Sequence, residues 1–89
     1  MRDLIWTHRA LKRLDDIAEF IARDNPLRAQ TFVMELRAKL EVLRTQTLGR
    51  SGRIFGTKEL VLHPNYLAVY RIKGEQVQVL TLLHTAQNK

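Results

Sequence analysis

Cysteine is missing from this sequence, which removes disulfide frameworks, thiolate metal sites and thiol nucleophiles in one step and fits a reducing cytoplasm. Proline occurs twice and glycine four times, and no linker, repeat or low-complexity tract interrupts the chain. Long hydrophobic runs are absent too. The apolar stretches reach about five residues, against the roughly 20 that span a bilayer, and the opening Met1-Arg2-Asp3-Leu4-Ile5-Trp6 lacks the basic segment and apolar core of an export signal. The expectation is a soluble, cytoplasmic protein without membrane contact.

Acidic side chains are the scarcer sign, nine against fifteen Lys and Arg, for a net charge of +6. The excess is uneven: residues 1–45 carry nine basic and seven acidic side chains, residues 46–89 six basic and two acidic. An electropositive second half favours a polyanionic partner, either nucleic acid or an acidic protein segment. The rest is ordinary globular material. With 45% apolar and 27% charged residues over 89 positions, the chain has the composition and length of one folded domain with a modest core over residues 1–89.

Local patterns give the order of elements. Leu4, Ile5 and Trp6 predict a short strand over residues 3–6, closed by Thr7, a good helix N-cap. From Leu11, apolar residues at Leu14, Ile17, Ala18, Ile21 and Ala22 hold the three-and-four spacing of one helical face. Asp24-Asn25-Pro26 stops that helix and starts another, since Asn25 can cap and Pro26 suits a first turn whose N–H has no partner anyway. Ala29, Phe32, Val33, Leu36, Leu40 and Leu43 carry the second helix to about residue 45, and so short a connection makes the pair an antiparallel hairpin.

Gly49, Gly52 and Gly56 then end the helical period. Three strands come next, Glu59 to Leu62, Tyr66 to Ile72 and Val77 to His84, joined by the turns His63-Pro64-Asn65 and Lys73-Gly74-Glu75 and therefore forming an antiparallel meander. The expected fold class is α+β, with two layers in the order β-α-α-β-β-β: a helical hairpin on one face of a mostly antiparallel four-stranded sheet. The second face is expected to stay open to solvent or a partner. Strict alternation puts Leu67, Val69 and Arg71 on one face of their strand, and sets Val77, Val79, Thr81 and Leu83 of the last strand against Gln78, Leu80, Leu82 and His84.

Candidate chemistry is sparse. The segment "GRSGRIFGTKEL" places Arg50, Arg53 and Lys58 among glycines, where backbone N–H groups and guanidinium forks can hold a phosphate or carboxylate, although the spacing is neither a Walker nor a dinucleotide pattern. Glu59 reads as a surface strand residue. His84, at the end of the last strand, is a general acid or base in one reading and a structural hydrogen-bonding group in the other. His8, His63 and His84 stand far apart without a His-x-x-x-His pair or carboxylate cluster, so no metal and no cofactor is expected. Ser51, the one serine, has no histidine and acid partners in view.

Taken in order, "IWTHRALKRLDDIAEFIARDNP", "AQTFVMELRAKLEVL", "GRSGRIFGTKELVLHPNYLAVYRI" and "VQVLTLLHTAQ" resemble the RelE/ParE superfamily of toxins from bacterial type II toxin-antitoxin modules, over nearly the whole chain. The resemblance implies the two-layer fold above and a growth-arresting toxin, associated with plasmid stabilisation and neutralised in a hetero-oligomer by a cognate acidic antitoxin. RelE-like members are ribosome-dependent mRNA endonucleases with an arginine in a strand resembling "YRLVY". Here the strand reads "YLAVY", with Leu67 in the arginine's place. The pattern "VYRI" followed by "LLH" looks more like the ParE-type subgroup, which poisons DNA gyrase by binding, and His84 matches a histidine common there, with fixing the C-terminal tail as its implied task. The ParE-like reading makes Arg50, Arg53, Lys58, Glu59, Arg71, His84 and Gln87 candidates for target binding. The RelE-like alternative, acting on mRNA at the ribosome, would use Arg53, Lys58, Arg71 and His84. A basic binding or repression partner without toxicity is the third class.

Overall fold

A computed structural model of the protein describes residues 1–85. Strand β1 (Asp3–Trp6) leads into helix α1 (His8–Ala22) and helix α2 (Pro26–Glu41), which ends in a 3-10 turn over Val42–Arg44. Four more strands follow among the described residues: β2 (Arg50–Ser51), β3 (Lys58–His63), β4 (Tyr66–Lys73) and β5 (Gln76–His84). They form one sheet in the order β1-β5-β4-β3-β2, in which β1 runs parallel to β5 and every other pairing is antiparallel. Two helices packed on a mostly antiparallel sheet is the α+β layering expected from the sequence. The sheet has five strands rather than four. Arg50 and Ser51 pair with Glu59 and Lys58 in a two-residue strand too short for side-chain alternation to reveal.

Both helices begin as their sequences dictate. Thr7 Oγ accepts from the Ala10 N–H, and Asn25 Oδ1 from the Arg28 N–H, beside Pro26 in the first turn, so each end gains a partner for one of its orphan donors. Their inner faces, Ala10, Leu14 and Ile17 from α1 with Phe32, Leu36 and Leu40 from α2, pack on Leu62, Ala68, Tyr70, Val77, Val79 and Leu82 of the sheet. Among the described residues no helix is long and apolar enough to cross a membrane.

The strands depart from strict alternation twice. Between Val79 and Thr81, β5 carries one residue more than β4 spans between Tyr70 and Val69. Between Val61 and His63, β3 likewise exceeds β4 by one residue. Each extra residue reverses the parity of the positions beyond it. In β5 the core face therefore runs Val77, Val79, Leu82, and His84 lies on that same face opposite Tyr66, which corrects the grouping that alternation assigns. In β3 both Leu62 and His63 turn towards the helices, and His63 is the last strand residue rather than part of the turn.

Each bulge is met by a donor from a helical segment. The Thr7 hydroxyl lies 2.9 Å from the Val79 carbonyl and 3.0 Å from that of Leu80, and Lys39 Nζ donates to the Leu62 carbonyl. Arg13 Nε adds a bond of 3.0 Å to the Leu82 carbonyl. The helices are thus pinned to the irregular points of the sheet by polar contacts as well as by their apolar faces.

The link from α2 to β2 is fixed by Tyr70 and Gly49. The Tyr70 phenol, on the central strand, donates to the Leu48 carbonyl. Gly49 has φ +97°, and a Cβ there would meet the Glu59 carbonyl oxygen at 2.3 Å, so only glycine fits this crossing of the sheet edge.

This packing can be tested at two points. Thr7→Val and Lys39→Met, which keep bulk but remove the donor to a bulge carbonyl, are each expected to lower unfolding free energy in urea by about 1–2 kcal/mol; an unchanged midpoint for both would deny the pinning. Burial pushes the Tyr70 phenol above its ordinary 10.0, partly opposed by the Arg2 guanidinium. The folded phenol then keeps its proton where the unfolded one loses it. Stability should hold below about pH 10 and fall as pH rises beyond it, and Tyr70→Phe should flatten that slope in denaturation curves measured from roughly pH 8 to pH 11.

Candidate functional site

Three features of the surface have the makings of a site. The first lies where the ends of β3, β4 and β5 meet the start of α2. Tyr66 is the cross-strand neighbour of both His63 and His84. Its ring stands edge-on to His84 with centroids 5.0 Å apart, edge-on to Phe32 at 5.6 Å and tilted against His63 at 6.1 Å. Phe32 also meets His63 at 5.1 Å, and the Arg28 guanidinium sits 5.3 Å from the Phe32 centroid. The Asn65 N–H donates to His63 Nδ1 at 3.1 Å, which leaves Nε2 as the ring's donor. Two imidazoles and a phenol are therefore collected on one side of the sheet by two bulges.

The second feature is the β2–β3 hairpin. Arg50 pairs with Glu59 and Ser51 with Lys58, so Arg50 and Lys58 project from opposite faces. Glu59 is not a surface residue, contrary to the reading from sequence: it is 5% exposed. Its carboxylate accepts the Arg53 N–H at 3.3 Å and lies 3.6 Å from the Arg50 guanidinium. The Gly52 N–H is bonded to the Thr57 carbonyl and the Thr57 N–H to the Ile54 carbonyl. The amides of Gly52, Arg53 and Thr57 are thus engaged within the hairpin instead of converging on an anion. Ile54 and Phe55 stand exposed at its tip.

The third is a groove of about 620 Å³ on the outer side of the helical hairpin, lined by Ala18, Ala22, Ala29, Val33 and Met34 among others. Exposed Met34, with Leu27 two turns before it on the same face of α2, makes this helical surface more apolar than solvent alone requires.

The residues singled out by sequence are not gathered together. Arg71 shares the face of Leu67 and Val69, away from the helices, where its Nε donates to Gln78 Oε1 at 2.6 Å. Lys58 and His84 belong to the helix-bearing face as neighbours of Tyr70 and Tyr66. Arg71 pairs with Gln78 and His84 with Tyr66, five positions apart along β4, or about 17 Å at strand spacing. Gln87 lies outside the described residues. The uncovered face is also less open than expected: Glu59, Leu67, Val69 and Thr81 are buried, while Val61 and Ile5 are exposed near its margins. Among the described residues no group of three or more His, Asp and Glu side chains is placed to hold a metal ion.

His63, Tyr66 and Phe32 escape a reading by motif because nothing in their spacing joins them. The one local hint is a histidine and a tyrosine flanking a Pro-Asn turn, which a tight hairpin must bring face to face.

The role of the buried carboxylate can be measured. Glu59→Ala should speed amide exchange at Arg53 and lower stability by about 1–2 kcal/mol, the cost of an unpaired N–H, whereas Glu59→Gln, which keeps an acceptor, should stay close to wild type. Equal behaviour of the two variants would show that the hairpin is held by other bonds.

Comparison with known proteins assigns the family. The model of the ParE toxin of the type II toxin-antitoxin system parDE matches residues 4–89. The protein named "Putative toxin Y4kP" of Sinorhizobium fredii (strain NBRC 101917 / NGR234) is 40% identical over 84 residues, covering 92% of this chain and 86% of that protein. Toxin RelE2 of Caulobacter vibrioides is 29% identical over 89 residues, covering 98% and 99%. The solved chromosomal ParDE toxin-antitoxin system of P. aeruginosa contains a chain that superposes with a TM-score of 0.86 at 27% identity, covering 94% of this chain and 96% of that one. The matched residues take in all of β1 but Asp3, the helical hairpin and the other described strands, and the chain belongs to the ParE toxin family of type II toxin-antitoxin systems.

Proposed function

We propose that this toxin arrests growth in the ParE manner, by binding DNA gyrase and trapping it on DNA, without breaking bonds itself. The observation that carries this reading is the dispersal of Arg53, Lys58, Arg71 and His84, the groups the sequence offers a ribonuclease. Cleavage at a 2′-OH requires an acid, a base and a cation within hydrogen-bond reach of one phosphate. Here Arg71 and His84 occupy opposite faces about 17 Å apart along the sheet. The position where RelE-like strands carry arginine is a buried Leu67. A binding mechanism asks only for a surface of the right shape and charge.

The toxin's second partner in this proposal is a cognate acidic antitoxin, as the parDE family assignment and the ParDE relative suggest. An acidic, apolar segment folding along the α1–α2 groove would cover Met34 and the neighbouring alanines and meet the net positive charge. Both events belong to the cytoplasm, where gyrase works.

The gathering of His63, Tyr66 and His84 favours one alternative, a ribosome-dependent mRNA endonuclease of the RelE kind with these three as proton-transfer groups in place of the scattered set. Brief expression in growing cells separates the two. Gyrase-linked DNA breaks with induction of the SOS response are the expected outcome; cleaved mRNA with immediate loss of translation would replace gyrase by the ribosome.

A further inference from the structure

The β2–β3 hairpin ends in a feature that neither the fold nor the α1–α2 groove uses. Phe55 is wholly exposed and Ile54 largely so. Together they form an apolar tip flanked by Arg50 to Arg53 and Gly56 to Glu59, all polar, small or charged. Isolated apolar residues on a surface are commonplace. This pair differs because the backbone beneath it is held. The Gly52 N–H donates to the Thr57 carbonyl at 2.8 Å, the Thr57 N–H and hydroxyl donate to the Ile54 carbonyl at 3.1 and 2.6 Å, and the Arg53 N–H is taken by the buried Glu59. Gly52 is needed for this arrangement, since a Cβ would lie 2.2 Å from Thr57 Oγ1. A phenylalanine displayed in water on a pre-ordered turn loses little conformational freedom when a pocket takes it up, which is the character of an interface anchor.

The surroundings of the tip define its partner. Residues 48–58 contain Arg50, Arg53 and Lys58 and no acid, and the nearest carboxylate in sequence, Glu59, is already committed within the hairpin. A basic hairpin that carries an apolar tip complements an apolar pocket with an acidic rim. Single-stranded nucleic acid would also answer the charge, but stacking platforms present successive aromatic faces, and beside Phe55 stands Ile54, which has no π-face to offer. We infer that the Ile54–Phe55 tip inserts into an acid-rimmed apolar pocket on the toxin's protein target, separately from the helical surface proposed for the antitoxin. This rests on the proposed function, in which the target is a protein.

The test compares wild type with Phe55→Ala and Phe55→Leu, both expected to fold normally because the side chain is exposed, with melting temperature as the check. Purified DNA gyrase is the probe. Phe55→Ala should inhibit supercoiling at least tenfold more weakly than wild type, and Phe55→Leu should recover most of the loss because the pocket reads apolar bulk. Equal inhibition by Phe55→Ala and wild type would overturn the inference while leaving the gyrase reading intact. If wild type fails to act on gyrase, that reading falls by itself, and growth arrest on expression decides the inference. Arrest relieved by Phe55→Ala supports it; arrest unchanged overturns it. A Phe55-dependent affinity for a single-stranded RNA oligonucleotide would also overturn it, by assigning the tip to nucleic acid.

Discussion

A bulge removes one residue from a ladder of backbone hydrogen bonds and leaves its polar groups to find partners elsewhere. In this toxin both bulges on the helix-bearing side are completed from the helical segments: Thr7 at the head of α1 serves the carbonyls of Val79 and Leu80, and Lys39 of α2 serves that of Leu62. The irregular sheet and the placement of the helices are therefore one constraint. A regular sheet would leave Thr7 and Lys39 without these acceptors, and helices placed elsewhere would leave carbonyls unpaired beside the core.

The same two insertions decide what each face displays. They turn His63 and His84 to the side of Tyr66 and Phe32, while Arg71 remains on the other side with Gln78. The Arg71 guanidinium is thereby separated from the imidazoles by the thickness of the sheet, whereas Arg28 shares their side next to Phe32. The basic side chains Arg28, Arg71, Arg50 and Lys58 are thus distributed over both faces of the sheet.

At the opposite edge of the sheet the governing element is a carboxylate. Glu59 sits beneath the hairpin, accepts the Arg53 N–H and faces Arg50, and the backbone of Gly49 passes against its carbonyl. These contacts turn a glycine-containing stretch, which composition alone would leave as a mobile loop, into a defined arm. Glycine here serves close approach as much as flexibility.

The chain's own residues determined whatever depends on near neighbours. The caps at Thr7 and Asn25, the stop and restart at Pro26, the apolar spacing of both helices and the turns at Pro64-Asn65 and Gly74 are set within a few positions, and so the order of elements and the α+β layering are legible. Leu67 in place of an arginine is legible too. The two-residue β2, the burial of Glu59, the extra residues in β3 and β5 and the meeting of Phe32, His63, Tyr66 and His84 were decided only by tertiary structure. Register is a relation between strands distant in sequence, and one inserted residue reverses every later side chain without disturbing the local pattern of apolar and polar residues that the sequence displays.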